Sequence, residues 1–262
     1  RRFDDWACGK YALDKSIDEY EHMYATHYPG EFREVGRPVR PTPIYEKLKT
    51  QGAIFAETFG WERAKWFDKK GEGEQYSFRR NNSFSAVAEE CRAVRERVGL
   101  LDLSCFAKYD ISGADAETFL NRICANRIPK ISGVSLVHML TELGGIESEA
   151  TVTRLTENHF YVLSAAVAEI HDLDWFIQHI LPEENVSISN VTDDYGVLVL
   201  SGPRSRDVLS KLTDADLCNE AFRWMQGKSI KVSGIPLRAL RVSYVGELGW
   251  ELHHPMKKME TL

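Results

Sequence analysis

The sequence predicts an α+β fold in which antiparallel sheets carry packed helices, and three observations lead there. Strand signals come in hairpin-like pairs, the clearest being Val134 to Leu140 and about Ala150 to Leu155 around a turn at Gly144-Gly145. Helical patterns are scattered irregularly among the strands, unlike the strict alternation of a parallel βαβ sheet. No G-x-G-x-x-G or P-loop occurs, so no dinucleotide or nucleoside-triphosphate fingerprint is present.

In order along the chain, Arg1 to Tyr28 is rich in Asp, Glu, Lys and Tyr and reads as one or two polar helices. Arg37-Pro-Val-Arg-Pro-Thr-Pro43 cannot continue a helix and reads as an extended connector. A short helix from Ile44 to Thr50 closes at Gly52. The run from Phe59 to Phe67 holds Trp61 and Trp66 besides its two Phe, too much aromatic surface for water; a docking surface between modules is expected, with ligand contact the alternative. Lys69 to Gln75 reads as a loop.

Val87, Cys91, Val94 and Val98 mark a helix from Ser85, its expected N-cap, to a stop at Gly99. A strand at Phe106 to Ile111 and a turn at Ser112 to Asp115 precede a helix marked by Ala116, Phe119, Leu120 and Ile123. After the hairpin come a strand at Phe160 to Ser164, a helix from Ala165 to Ile180, and strands at Val186 to Val191 and Gly196 to Ser201. A helix from Ser205 to Leu212 follows Gly202-Pro203, and Leu237 to Val245 is the final strand expected.

The 262 residues are enough for one large domain or two modest ones, and 43% hydrophobic with 27% charged residues is the composition of a soluble globular protein. No apolar run approaches a membrane span; Tyr195 to Leu200 is among the strongest. The net charge of −6, with no long basic block, argues against nucleic acid as a partner. Five cysteines without a C-x-x-C pair suit reduced thiols in a cytosol-like compartment, cytoplasmic or, in a eukaryote, the mitochondrial matrix. The histidines show no zinc-ligand spacing, and the doublet His253-His254 reads as a surface pair. Both ends read as cut, so an internal piece of a longer polypeptide is expected.

Three places hold chemistry-bearing residues. Asp102 lies between Leu101 and Leu103 at the entry to a strand. A carboxylate there can share a proton or stabilise a cation; a capping or turn role is the alternative. The run Arg241-Val-Ser-Tyr-Val-Gly-Glu-Leu-Gly-Trp-Glu-Leu252 interleaves two acids, two aromatics and two glycines. Its carboxylates can pair with a planar N–H edge such as that of a pterin, and Tyr244 and Trp250 can supply stacking or an apolar wall; a hairpin with exposed acids is the alternative. Val199 to Arg206 reads as a structural strand, turn and helix start.

Taken together, Gly99-Leu-Leu-Asp-Leu-Ser104, Phe106-Ala-Lys108, Ser112-Gly113, Gly144-Gly-Ile146, Ser201-Gly-Pro-Arg-Ser205 and Tyr244-Val-Gly-Glu-Leu-Gly-Trp-Glu251 resemble, in order and spacing, the folate-binding domain of the aminomethyltransferase (glycine cleavage T-protein) family. His27-Tyr-Pro29, Gly36-Arg-Pro38 and Gly60-Trp-Glu-Arg63 resemble the segment that joins flavin and folate domains in dimethylglycine and sarcosine dehydrogenases. The resemblance implies residues 1–56 as the end of the flavin enzyme's central segment and 57–262 as a folate domain lacking its C-terminal β-barrel.

It also implies that Asp102 is the catalytic aspartate near N5 and N10 of tetrahydrofolate. Tyr244, Glu251, Glu247 and Trp250 would be cofactor-binding residues, Glu251 pairing to the pterin. The implied activity is oxidation of an N-methyl amine, with FAD in a flavin domain of the same polypeptide and tetrahydrofolate taking the one-carbon unit. The family's Tyr-Thr pair is replaced by Leu136-Val137, its Asn by Thr141, an Asp by Glu149, and Gly-Tyr-Thr by Ser243-Tyr244-Val245. These changes thin the polar lining, and a degenerate domain with a structural or regulatory role is the alternative they suggest.

Overall fold

The structure, a computed structural model, describes residues 5–262. The chain divides into two compact units between Ala93 and Val94.

The first unit holds a 3-10 turn, Asp5–Ala7, then α1 (Gly9–Glu21), α2 (Tyr45–Thr50) and a hairpin of β1 (Ala53–Thr58) and β2 (Trp61–Phe67). As expected of a polar helix, α1 buries only Asp18, which is tied to Arg33. Phe59 and Gly60 join the strands, both with positive φ (52° and 80°), the geometry that matches strand twist in a two-residue turn. A Cβ at Gly60 would come within 2.7 Å of the Trp6 ring, so the turn needs glycine for space as well as for conformation.

The aromatic run is thus a strand. Trp61 and Trp66 are buried, with the Arg40 guanidinium 4.2 Å from the Trp61 ring and Arg37 forked onto Glu62 at 2.9 and 2.6 Å. The bulge opposite Ile54 and Phe55 brings both indoles, five positions apart, to the same face of the hairpin.

The helix α3 (Phe84–Glu96) starts one residue earlier than expected. Ser85 sits inside its first turn, and the Ser83 carbonyl accepts the first bond, from Val87 N–H at 2.9 Å. Gly99 does not stop this helix but opens the next strand.

The second unit contains β3 (Gly99–Asp102), β4 (Ala107–Ser112), α4 (Ala116–Ile123), β5 (Val134–Leu140), β6 (Ile146–Thr156), β7 (His159–Ser164), α5 (Glu169–Gln178), β8 (Ser187–Asn190), β9 (Tyr195–Ser201), α6 (Ser205–Leu209), β10 (Gln226–Val232), β11 (Ile235–Arg241) and β12 (Gly249–Pro255). They form two five-stranded sheets, ordered β10-β11-β12-β9-β3 and β5-β6-β7-β4-β8. Every strand pairing is antiparallel, as the α+β reading requires.

Alternate residues of β4 and β7 explain the core. Tyr109, Ile111, Phe160 and Val162 face Phe119, Leu120 and Phe176 of the helices. Tyr161 and Leu163, one residue out of phase, cluster with Val134 and Leu240. Full burial of each such side chain contributes roughly 1.5–3 kcal/mol.

Besides β1, β2 and β3, two further strands went unexpected. β10 is half polar, and β12 is buried on both faces, so neither shows clean alternation. The expected last strand ends at Arg241, leaving residues 242–248 as a loop. No described helix is long and apolar enough to cross a membrane, and no metal-holding cluster occurs among the described residues.

Candidate functional site

The site is organised by β12, which lies between β11 and β9. Successive side chains of a strand point to opposite faces. Glu251 pairs in register with Val199 and Leu240, and His253 with Val197 and Arg238, so Glu251, His253 and Arg238 share one face. Trp250, Leu252 and His254 take the other.

On the Glu251 face a polar chain crosses between the sheets. Glu251 Oε2 lies 3.1 Å from His253 Nε2, and His253 Nδ1 lies 3.0 Å from the Tyr161 hydroxyl. Burial pushes the Tyr161 phenol well above its usual range, so it stays protonated. Burial also lowers the pKa of His253, against the pull of Glu251, so the imidazole is neutral. A neutral ring carries one proton, and a carboxylate only accepts. His253 Nε2–H therefore donates to Glu251, and the Tyr161 O–H donates to Nδ1. The Arg238 guanidinium lies 4.5 Å from the ring centres of both Tyr161 and Tyr195. It is held there by Asp110 at 2.9 and 3.2 Å. The Glu251 side chain keeps 17% of its surface exposed, while His253 is completely buried.

On the opposite face His254 is buried as well. Its Nδ1–H donates to the Leu252 carbonyl at 3.0 Å, leaving Nε2 as a buried acceptor without a hydrogen-bond partner among the described residues. Gly196, paired with His254 across the strands, makes room for the ring: a Cβ there would meet Nε2 at 2.7 Å. The expected surface pair is thus corrected. A strand covered on both faces sends adjacent histidines into two different interiors.

Asp102 ends the edge strand β3, paired with Leu198. Its Oδ1 accepts the Ser104 N–H at 2.9 Å and the Ser104 hydroxyl at 2.6 Å. Ser104 Oγ in turn accepts the Val197 N–H at 2.9 Å. Lys108, fully buried, donates from Nζ to the carbonyls of Ser104 and Phe106. The turn after Asp102 is therefore cross-braced. Leu100 and Leu101 remain exposed on the edge.

The five sequence-derived candidates do not converge on one spot. Tyr244 stands fully exposed in the loop, where Glu247 pairs with Arg95. Trp250 lies in the interior, edge-on to Phe222 at 6.3 Å. Glu251 and Asp102 are separated by β9, about 10 Å by strand spacing, and the register aims them at opposite faces. His253, Tyr161, Arg238 and Asp110 escaped the sequence reading. Only His253, two residues from Glu251 on a strand, carried a legible signal.

A family model described as the GCVT N-terminal domain matches residues 44–262. The chain belongs to the GCVT aminomethyltransferase family. Among curated relatives, this GCVT chain is 40% identical over 265 residues to the mitochondrial dimethylglycine dehydrogenase of Mus musculus, covering 100% of this chain and 30% of that one. It is 34% identical over 234 residues to a formaldehyde-forming 4-methylaminobutanoate oxidase of Paenarthrobacter nicotinovorans, covering 88% and 28%. The GCVT chain thus spans under a third of the length of these relatives. Its fold is similar to that of the glycine cleavage aminomethyltransferase T of Bartonella henselae, with a TM-score of 0.69 at 23% identity over 85% of this chain and 55% of that one.

The buried histidines make stability pH-dependent. Burial lowers the pKa of both His253 and His254. The unfolded chain protonates them near the ordinary value of about 6.5, so below that pH it binds more protons than the folded chain and stability falls as pH drops. Each histidine adds a slope of up to about 1.4 kcal/mol per pH unit until its folded pKa is reached. His171, whose pKa is raised by Asp172, works in the opposite sense. The comparison of interest is therefore with His254→Leu. Urea unfolding between pH 7.5 and 5.5 is expected to show a shallower decline for this variant than for the parent; parallel profiles count against a neutral buried His254.

Proposed function

We propose that this chain is the tetrahydrofolate-binding, one-carbon-accepting module of a flavin-dependent N-methyl amine dehydrogenase or oxidase, acting on a dimethylglycine- or sarcosine-like substrate. The observation that carries the proposal is the GCVT match over residues 44–262, joined to relatives named as dehydrogenase and oxidase of methylated amines. FAD would be held by a flavin domain of the same polypeptide, since this sequence carries no dinucleotide fingerprint. The mitochondrial name of the mouse relative supports a matrix setting in a eukaryote.

The residues present suit a pterin. Glu251 is partly exposed and binds His253 through Oε2 alone among the described residues, so acceptor sites remain for the N–H donors of an aminopyrimidine edge. Tetrahydrofolate supplies the nucleophilic nitrogens that take up the one-carbon unit. In the proposal Asp102 holds or moves a proton at its carboxylate, its Oδ1 already oriented by Ser104. In the same proposal Tyr244 and Glu247 contribute from the loop of residues 242–248, while Trp250 fills the core on the face of β12 opposite Glu251.

The test is trapping of free formaldehyde during amine oxidation by the full-length polypeptide. Added tetrahydrofolate is expected to lower the trapped yield, and Asp102→Ala to restore it while amine oxidation continues. A yield that ignores folate favours a second reading, an oxidase that releases formaldehyde, which the name of the Paenarthrobacter relative supports.

A further inference from the structure

We infer that His253 is a positioning residue: it sets the plane of the Glu251 carboxylate and leaves the remaining lone pairs directed at a ligand's N–H edge. The inference rests on the reading of Glu251 as the pterin contact.

His253 is fully buried and uses both ring nitrogens. Its tautomer has no freedom, because Glu251 only accepts and the Tyr161 phenol is held protonated. The ring cannot swing, because Tyr161 meets it edge-on at 5.3 Å with planes 90° apart. Tyr161 in turn lies under Arg238, which Asp110 holds by two bonds. A series of fixed contacts thus runs from Asp110 through Arg238, Tyr161 and His253 to one oxygen of Glu251. A carboxylate offers about four acceptor sites; with one taken by a rigid N–H donor, its plane is set and its outer edge stays open for two parallel bonds. An unsupported Glu on a strand would have to lose side-chain rotamer freedom on each binding event.

The two ring nitrogens allow a test that separates positioning from packing. Gln places an amide N–H near the position of Nε2, keeping the bond to Glu251; Asn places its amide near Nδ1, keeping the bond to Tyr161. Tetrahydrofolate affinity is measured by calorimetry on the full-length polypeptide, with unfolding temperature as the parallel readout. His253→Asn is expected to weaken binding about tenfold or more, the scale of a lost charge-assisted bond. His253→Gln is expected to stay within about threefold of the parent even though it too loses a core contact. Equal affinities for the two variants, or a His253→Asn that binds like the parent, overturn the positioning role.

If the Asn variant does not fold, Tyr161→Phe carries the test: it frees Nδ1 and the ring orientation, and is expected to weaken binding several-fold, with parental affinity overturning the inference. Glu251→Gln tells the two failures apart. Its loss of binding with His253 variants unaffected overturns this inference alone. Parental binding by Glu251→Gln, or no binding by the parent, overturns the pterin reading and the positioning role with it.

Discussion

Trp250→Ala is expected to cost about 3–5 kcal/mol, the range for truncating a large buried aromatic. The indole is fully buried in the middle strand of its sheet. It packs edge-on against Phe222, with the guanidinium groups of Arg206 and Arg241 5.9 and 5.7 Å from its ring centre. Its Nε1–H has no partner among the described residues. Trp250→Phe is therefore expected to lose much less, since the removed donor leaves no bond broken and only part of the volume is lost. Urea unfolding with an unchanged m-value measures both. An alanine variant within about 1 kcal/mol of the parent would contradict the packing described here.

Arg238→Ala has the second largest expected effect, about 2–4 kcal/mol. The side chains of Arg238 and Asp110 are 14% and 22% exposed, so solvent screens the pair only in part. Removing the cation leaves the carboxylate beside the His159 ring, 3.2 Å away, without its guanidinium partner, and strips both Tyr161 and Tyr195 of the cation over their rings. Losing one partner of such a pair costs more than losing both. The double variant Arg238→Met with Asp110→Asn is thus expected to recover about 1–3 kcal/mol relative to the sum of the singles. Strict additivity in the double-mutant cycle would show that the pair is not coupled.

The residues legible in the sequence share one property: a local pattern. Ala116, Phe119, Leu120 and Ile123 announced α4 because a helix against a sheet must place apolar residues at its own period. Gly144-Gly145 announced the turn between β5 and β6. β12 was missed for the opposite reason. With both faces covered, its side chains need not alternate, and a run containing Glu251, His253 and His254 then looks like surface. Arg238 and Asp110, 128 positions apart, could not be paired from spacing at all.

The α+β class, most of the elements, the family, and the carboxylates Asp102 and Glu251 as candidates are legible in the amino-acid order, because these follow from periodicity, turn chemistry and ordered motifs. Where those carboxylates point and what holds them is set by the packed fold. Strand register assigns Glu251 and Asp102 to opposite faces, and the stacking of two sheets places Tyr161 against His253. Both are long-range consequences of burying apolar surface, and a side chain's neighbour across a sheet is set by that burial and by no nearby residue in the chain.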